Sequence, residues 1–121
     1  MHPIALGFFA AVVLAVPAFS HEAQGPNGGR IADAGDYHVE LVAKGGSVEV
    51  YVTDTGDKPV ETDGLKGLAI LTIGGKSQRI ELTSAGKNKL QGPATGPIAG
   101  NPKGVVQLTL PDGKKAQGQY K

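Results

Sequence analysis

The sequence predicts an all-β protein, a small antiparallel immunoglobulin-like β-sandwich of seven to eight strands that follows a cleaved signal peptide. Three observations lead to this prediction. Short runs of alternating apolar and polar residues recur along the chain, glycines fall where those runs end, and no window combines helical periodicity with a cap and adequate length. Short strands at this spacing are typical of a sandwich of about 100 residues.

Residues 37–54 contain the clearest pattern, two alternating runs joined by Gly45-Gly46. Such a pair predicts a β-hairpin with a two-residue primed turn, in which Lys44 lies opposite Ser47. In this register apolar side chains face one another along one side of the hairpin, and polar side chains such as His38 lie on the other side. The hairpin is therefore predicted together with its register.

The same kind of pattern predicts the remaining strands, two of them isolated and four in further hairpins. In chain order these elements are an extended piece at 30–34, a hairpin at 67–82 around Gly74-Gly75, an extended piece at 88–92, a loop at 92–104, and a hairpin at 105–120 that turns at Pro111-Asp112-Gly113.

The chain opens with an apolar segment, residues 4–19, that has no charged or hydrogen-bonding side chain. It is shorter than the roughly 20 residues that span a bilayer. Ala18 and Ser20 are small residues at the −3 and −1 positions of a secretory cleavage site. We therefore expect a periplasmic or secreted protein, cleaved after Ser20. Cleavage after Ala18, with Val16 at −3, and retention as an uncleaved anchor are the alternatives.

Removal of the signal peptide at 1–20 would leave a flexible N-terminal segment at 21–29 and one β-sandwich domain at 30–121. The exported chain would then lack Phe, Trp, Met and Cys, so that Val, Ile, Leu and Ala form its core. A domain of this size buries only about 60–70% of its unfolded surface, which leaves no room for a deep cleft. No cysteine nucleophile, nucleophile elbow or phosphate-binding glycine motif is present. We therefore expect a non-enzymatic protein.

The charge pattern argues against two classes of partner. The 12 Lys and Arg and the 11 Asp and Glu are interspersed, with a net charge of +1. Nucleic-acid binding requires clustered cations, and no segment has the pattern of an amphipathic membrane-binding helix. We expect neither nucleic acid nor, after signal cleavage, a membrane as a partner.

Two histidines follow the signal peptide, His21 and His38, and imidazole nitrogens suit Cu(II), Zn(II) and Ni(II). If His21 is the first residue, its α-amine and its ring chelate one ion together, and His38 supplies a third nitrogen, as Cu(II) favours. Asp36 and Glu40 are weaker candidates close to His38. The sequence thus predicts a site of His21, His38, Asp36 and Glu40 for copper(II) or another divalent transition metal. The alternative is a solvated tail at His21 and a plain surface residue at His38.

Residues 28–60 also resemble a known family. The shared features are the glycine pair Gly28-Gly29, the turn Gly35-Asp36, the acidic-apolar pair Glu40-Leu41 and the turn from Asp54 to Val60. This stretch is similar to the N-terminal region of periplasmic adaptor subunits of heavy-metal efflux pumps, the cobalt-zinc-cadmium type of the resistance-nodulation-division superfamily. The resemblance implies a free-standing β-sandwich accessory domain, linked to metal resistance, with envelope or efflux-system proteins as partners. Asn27 stands where that family often has a histidine.

A second class of function stays open, a structural or interaction module that binds another envelope protein through a sheet edge or face. In such a module the histidines bind no metal. Tyr51, Ile70 or the 92–104 loop would then form the contact.

Overall fold

A computed structural model of the protein describes residues 23–121, which form an all-β structure without a helix. The strands are β1 Ala23–Gln24, β2 Arg30–Ala34, β3 Tyr37–Lys44, β4 Ser47–Asp54, β5 Lys66–Ile73, β6 Lys76–Ser84, β7 Lys89–Pro93, β8 Lys103–Thr109 and β9 Lys115–Tyr120. They form one antiparallel sheet in the order β1-β2-β3-β4-β7-β6-β5-β8-β9.

The sheet curls until β2 and β9 lie side by side, although the two strands do not pair. The turning point is the junction of β6 and β7, which pair over only two residues of each strand. Nearer the start of β6, hydrogen bonds of the Gln78 side chain to the Thr95 backbone take the place of the backbone pairing between β6 and β7. Its oxygen accepts a hydrogen bond from the Thr95 backbone N–H at 2.9 Å, and its amide donates to the Thr95 carbonyl at 3.2 Å. The strands diverge there, and the sheet folds around a single core.

The three predicted hairpins are confirmed. β3 and β4 pair along their whole length with Lys44 opposite Ser47, the register predicted from the glycine pair. Gly45 has a φ of 58°, the left-handed conformation that a primed turn requires at its first position. β5 pairs with β6 and β8 pairs with β9 in the same antiparallel manner, and the short strands at 30–34 and near 88–92 are also present.

The core consists of the aliphatic side chains that alternate toward the inside of the curled sheet. Tyr120 closes the core where β2 and β9 meet. It is only 2% exposed, and its hydroxyl donates a hydrogen bond of 2.6 Å to the Val39 carbonyl. The Arg30 guanidinium lies 5.5 Å from the centre of the same ring. One buried aromatic ring therefore joins the two ends of the sheet.

β1 is an element that the sequence did not predict, and it brings the number of strands to nine. Ala23 pairs with Ile31 and Gln24 pairs with Arg30, within the segment expected to be flexible. The signal peptide at 1–20, its cleavage site and His21 lie outside the described residues. Residues 23–121 contain no helix with the length and apolar character that a bilayer span requires.

Candidate functional site

The candidate site lies on the outer face of β2, β3 and β4, where cross-strand pairing arranges side chains in rows. One row is Asp33, His38 and Thr53, and the next is Ile31, Glu40 and Tyr51. Because residues two apart on a strand share a face, all six project away from the core. The rows bring together residues from three strands around the His38 imidazole.

His38 lies between two carboxylates. Its Nδ1 is 3.2 Å from Oδ1 of Asp57, a hydrogen-bonding distance, and its Nε2 is 3.4 Å from Oδ1 of Asp33. The His38 side chain is 29% exposed, whereas the two aspartates are 61% and 82% exposed. The imidazole is thus partly sheltered, and each ring nitrogen faces its own acidic oxygen.

Asp57 reaches His38 from the turn that follows β4. Asp54 holds this turn, since one of its carboxylate oxygens accepts hydrogen bonds of 2.9 Å from the backbone N–H groups of Gly56 and Lys58. The hydrogen bond from Lys58 lowers the pKa of the Asp54 carboxyl and outweighs its partial desolvation. Asp57 has a φ of 64°, a left-handed conformation that Asp adopts more readily than most residues.

Glu40 is the one buried charged residue of this face, at 4% exposure. Its Oε2 accepts hydrogen bonds from the backbone N–H groups of Asn27 and Gly29, at 2.9 and 2.8 Å. Its Oε1 accepts a third, of 2.9 Å, from the side-chain amide of Asn27. The turn at 25–29 therefore folds over the carboxylate, and Gly25 approaches it so closely that a Cβ there would lie 2.3 Å from the carboxyl carbon.

A groove of about 440 Å³ runs between this turn and the two rows. Pro26, Ile31, Tyr51 and Pro59 supply apolar walls, and His38 lies among its polar residues. Apolar walls with a few polar groups are typical of sites that bind small ligands or peptide side chains. The imidazole can therefore be reached from solvent through a groove that is open at the protein surface.

Two side chains, Glu49 and Lys89, hold the Tyr51 wall of the groove in place. Glu49 accepts a hydrogen bond of 3.0 Å from the Tyr51 hydroxyl and forms an ion pair of 3.2 Å with Lys89. Burial raises the pKa of the Glu49 carboxyl, but the hydrogen bonds and positive charge of its partners outweigh burial and lower it overall. Burial and the Glu49 carboxylate together raise the pKa of Tyr51, and the hydrogen bond to Glu49 raises that of Lys89.

We expect Glu49→Gln to lower the free energy of unfolding by about 1 kcal/mol at pH 7, because a charged hydrogen-bond partner is lost. The pKa of Glu49 is lowered in the folded state. The Glu49 carboxylate therefore adds to the free energy of unfolding above the unfolded-state pKa, and this addition disappears as the pH falls through the folded-state pKa. Urea denaturation of the wild type and of Glu49→Gln at pH 7 and pH 3 measures the difference between their free energies of unfolding. An equal difference at the two pH values would contradict this assignment.

The predicted metal residues occupy different positions in the structure. His38 and Glu40 share the outer face of β3, but the Glu40 oxygens already accept three hydrogen bonds. Asp36 is exposed in the turn between β2 and β3. Within residues 23–121, no group of three or more His, Asp or Glu side chains is arranged to hold a metal ion. The two aspartates at His38 face different ring nitrogens.

Asp33 and Asp57 are the site residues that the sequence analysis missed. A signal for Asp33 was present, because a two-residue turn at Gly35-Asp36 between the predicted strand at 30–34 and β3 places Asp33 opposite His38. No comparable signal exists for Asp57, since its position depends on how the turn after β4 folds back toward the sheet.

Comparisons of the chain with protein families, curated proteins and solved structures found no match.

Proposed function

We propose that the protein is an exported, non-enzymatic protein that binds a divalent transition metal, copper(II) in preference, in metal homeostasis or efflux. The observation that carries the proposal is the Asp57–His38–Asp33 arrangement, in which one ring nitrogen of a partly sheltered histidine is hydrogen bonded and the other faces a carboxylate. Asp36 and Glu40 remain weaker candidates, Glu40 because its oxygens already have partners.

The two aspartates have different roles in this proposal. The hydrogen bond from His38 Nδ1 to Asp57 selects the tautomer whose Nε2 lone pair is free, as a carboxylate does for many metal-binding histidines. Nε2 then binds the metal together with Asp33. Two donors about 2.0 Å from one four-coordinate ion lie about 2.8–3.3 Å apart, so the 3.4 Å between Nε2 and the Asp33 oxygen needs little adjustment.

Calorimetric titration with Cu(II) and Zn(II) tests this assignment. We expect His38→Ala to weaken binding by about tenfold or more, because the imidazole ligand is lost. Asp57→Asn should weaken binding by about 10-fold to 100-fold, the usual effect of removing the carboxylate that orients a histidine ligand. Glu81→Gln is the matched control, since it removes an exposed carboxylate from β6, outside the candidate site. Unchanged affinity in His38→Ala would refute the proposal.

The architecture and the cellular context belong to the same proposal. We assign the curled sheet to the immunoglobulin-like β-sandwich class, supported by the narrow junction between β6 and β7 and by the approach of β2 to β9. The resemblance of residues 28–60 to the accessory domain of heavy-metal efflux adaptors supports a periplasmic location and a partner in an efflux system.

The groove favours the second candidate, an interaction module for another envelope protein. Its apolar walls, with Tyr51 held by Glu49, are suited to an apolar side chain of a partner. Capture of an envelope protein by a variant that lacks both His21 and His38, and loss of capture in Tyr51→Ala, would support this function without metal. Loss of capture in the histidine variant would contradict it.

A further inference from the structure

The turn between β1 and β2 contains an Asn-Gly pair, Asn27-Gly28, and both residues are exposed. The backbone nitrogen of the residue after an asparagine can attack the carbonyl carbon of the asparagine side chain. Glycine hinders this attack least, because it has no Cβ. Asparagine is accordingly one of the thermolabile residues of proteins. The pair is thus a place where the chain can modify itself without an enzyme.

In the folded turn, hydrogen bonds hold the groups that would react. The Asn27 side-chain amide donates to Oε1 of Glu40 at 2.9 Å, and the Asn27 backbone N–H donates to Oε2 at 2.9 Å. The Gly28 N–H, whose proton must leave before the nitrogen can attack, donates to the Gly25 carbonyl at 3.1 Å. These hydrogen bonds must rearrange before the Gly28 nitrogen can bond to Cγ of Asn27. The attack therefore requires local opening of the turn.

We propose that Asn27 is a site of spontaneous deamidation, and that the Glu40 carboxylate restrains the reaction by keeping the turn closed. The Gly28 nitrogen loses its proton to a solvent base and bonds to the side-chain carbonyl carbon of Asn27, and ammonia leaves. The product is a succinimide ring. Water then adds to one of the two ring carbonyls and opens the ring, which gives aspartate or isoaspartate at position 27. The net reaction consumes water and releases ammonia, and nothing is oxidised or reduced. The proposal does not depend on the binding of a metal.

The product does not fit the closed turn. A carboxylate at position 27 has no N–H to donate, and it places a second negative charge at hydrogen-bonding distance from Oε1 of Glu40. Isoaspartate also lengthens the main chain by one carbon within the turn, which displaces the Gly29 N–H from its hydrogen bond of 2.8 Å to Glu40. Pro26 and Asn27 line the groove beside His38. Deamidation therefore opens the turn irreversibly and removes one wall of the groove.

Peptide mapping by mass spectrometry tests the proposal on the purified protein kept at mildly alkaline pH, both folded and unfolded in guanidinium chloride. We expect Asn27 to be converted to aspartate and isoaspartate in both samples, about tenfold or more slowly in the folded one, because the turn is open only part of the time. Asn101 is the internal control, since Pro102 has no N–H with which to attack it. Equal rates at Asn27 in the two samples, or no conversion in the folded protein, would overturn the proposal.

Two substitutions of Glu40 test its part in the restraint. Glu40→Ala removes the acceptor of three hydrogen bonds, and we expect Asn27 to be converted about tenfold or more faster than in the wild type. Glu40→Gln keeps an acceptor for the backbone N–H groups and should raise the rate by a smaller factor, about fivefold or less. Equal rates in the two variants would show that Glu40 does not restrain the reaction.

Asn27→Asp carries the proposed product from the start, and it keeps the proposal testable if Glu40→Ala does not fold. We expect the Gly29 N–H to exchange with solvent about tenfold or more faster in Asn27→Asp than in the wild type. Asn27→Ala is the matched control, because it also lacks the amide donor but adds no charge, and its exchange rate should rise less. Unchanged exchange at Gly29 in Asn27→Asp would show that the product does not open the turn.

Discussion

Replacing Glu40 with alanine is expected to lower the free energy of unfolding by about 3 kcal/mol, because a buried carboxylate that accepts three hydrogen bonds is removed. Two of the donors are the backbone N–H groups of Asn27 and Gly29, and the Gly29 hydrogen bond is buried, so its N–H loses its partner if the turn stays closed over the site. We expect the turn and β1 to open. Urea denaturation measures the loss, and amide hydrogen exchange at Asn27 and Gly29 locates it.

Glu40→Gln is the matched control, because glutamine has nearly the same shape. Its carbonyl oxygen can accept both backbone N–H groups, and the Asn27 amide can turn to accept from the glutamine NH₂. We expect a loss of about 1 kcal/mol, since the hydrogen bonds remain but the charge is gone. Losses below about 0.5 kcal/mol in both variants, the usual range for surface substitutions, would show that Glu40 does not hold the turn.

Gly92→Ala is the second substitution with a large expected effect, about 2–4 kcal/mol of unfolding free energy. A Cβ on Gly92 would lie 2.1 Å from the backbone oxygen of Glu81 and 3.1 Å from Cγ2 of Ile80. Because the first obstacle is backbone, no side-chain rotation relieves it, and β6 and β7 must move apart. These strands share only two paired residues each, so the displacement weakens the junction at which the sheet curls.

Gly46→Ala is the control for this prediction. Its Cβ would lie 3.5 Å from the nearest atom, the Gly96 carbonyl oxygen, in ordinary van der Waals contact. Gly46 has no left-handed φ, so alanine fits without strain, and we expect a change of at most about 1 kcal/mol in either direction. Thermal and urea unfolding of both variants measure the contrast. Similar stability of Gly92→Ala and Gly46→Ala would contradict the close approach of β6 and β7.

Much of the fold could be predicted because β-hairpins are local structures. A glycine pair sets the turn, the turn sets the register, and strict alternation then places every side chain of both strands on one face or the other. This reasoning is enough to place His38 on the outer face of β3. The same logic applied to Gly35-Asp36 pairs Asp33 with His38.

The buried state of Glu40 could not be predicted in this way. Alternation places it on the same face as His38, where a charged residue is normally exposed. Its burial arises because the turn at 25–29 folds back over it, a contact between residues more than ten positions apart that no local pattern encodes. The turn also contains glycine and proline, which the sequence analysis interpreted as flexibility.

The sequence by itself determined the β class, the three hairpins, the register of the first of them, and the face of that hairpin on which His38 lies. Only the tertiary structure decided what surrounds that histidine. Asp57 comes from a turn whose path depends on the Asp54 hydrogen bonds, and the turn that joins β1 to β2 is held by the carboxylate of Glu40. The physical reason is the separation along the chain of the residues that interact. Periodicity and turn chemistry act over a few residues, whereas a site assembled from loops depends on hydrogen bonds between segments that meet only in the folded chain.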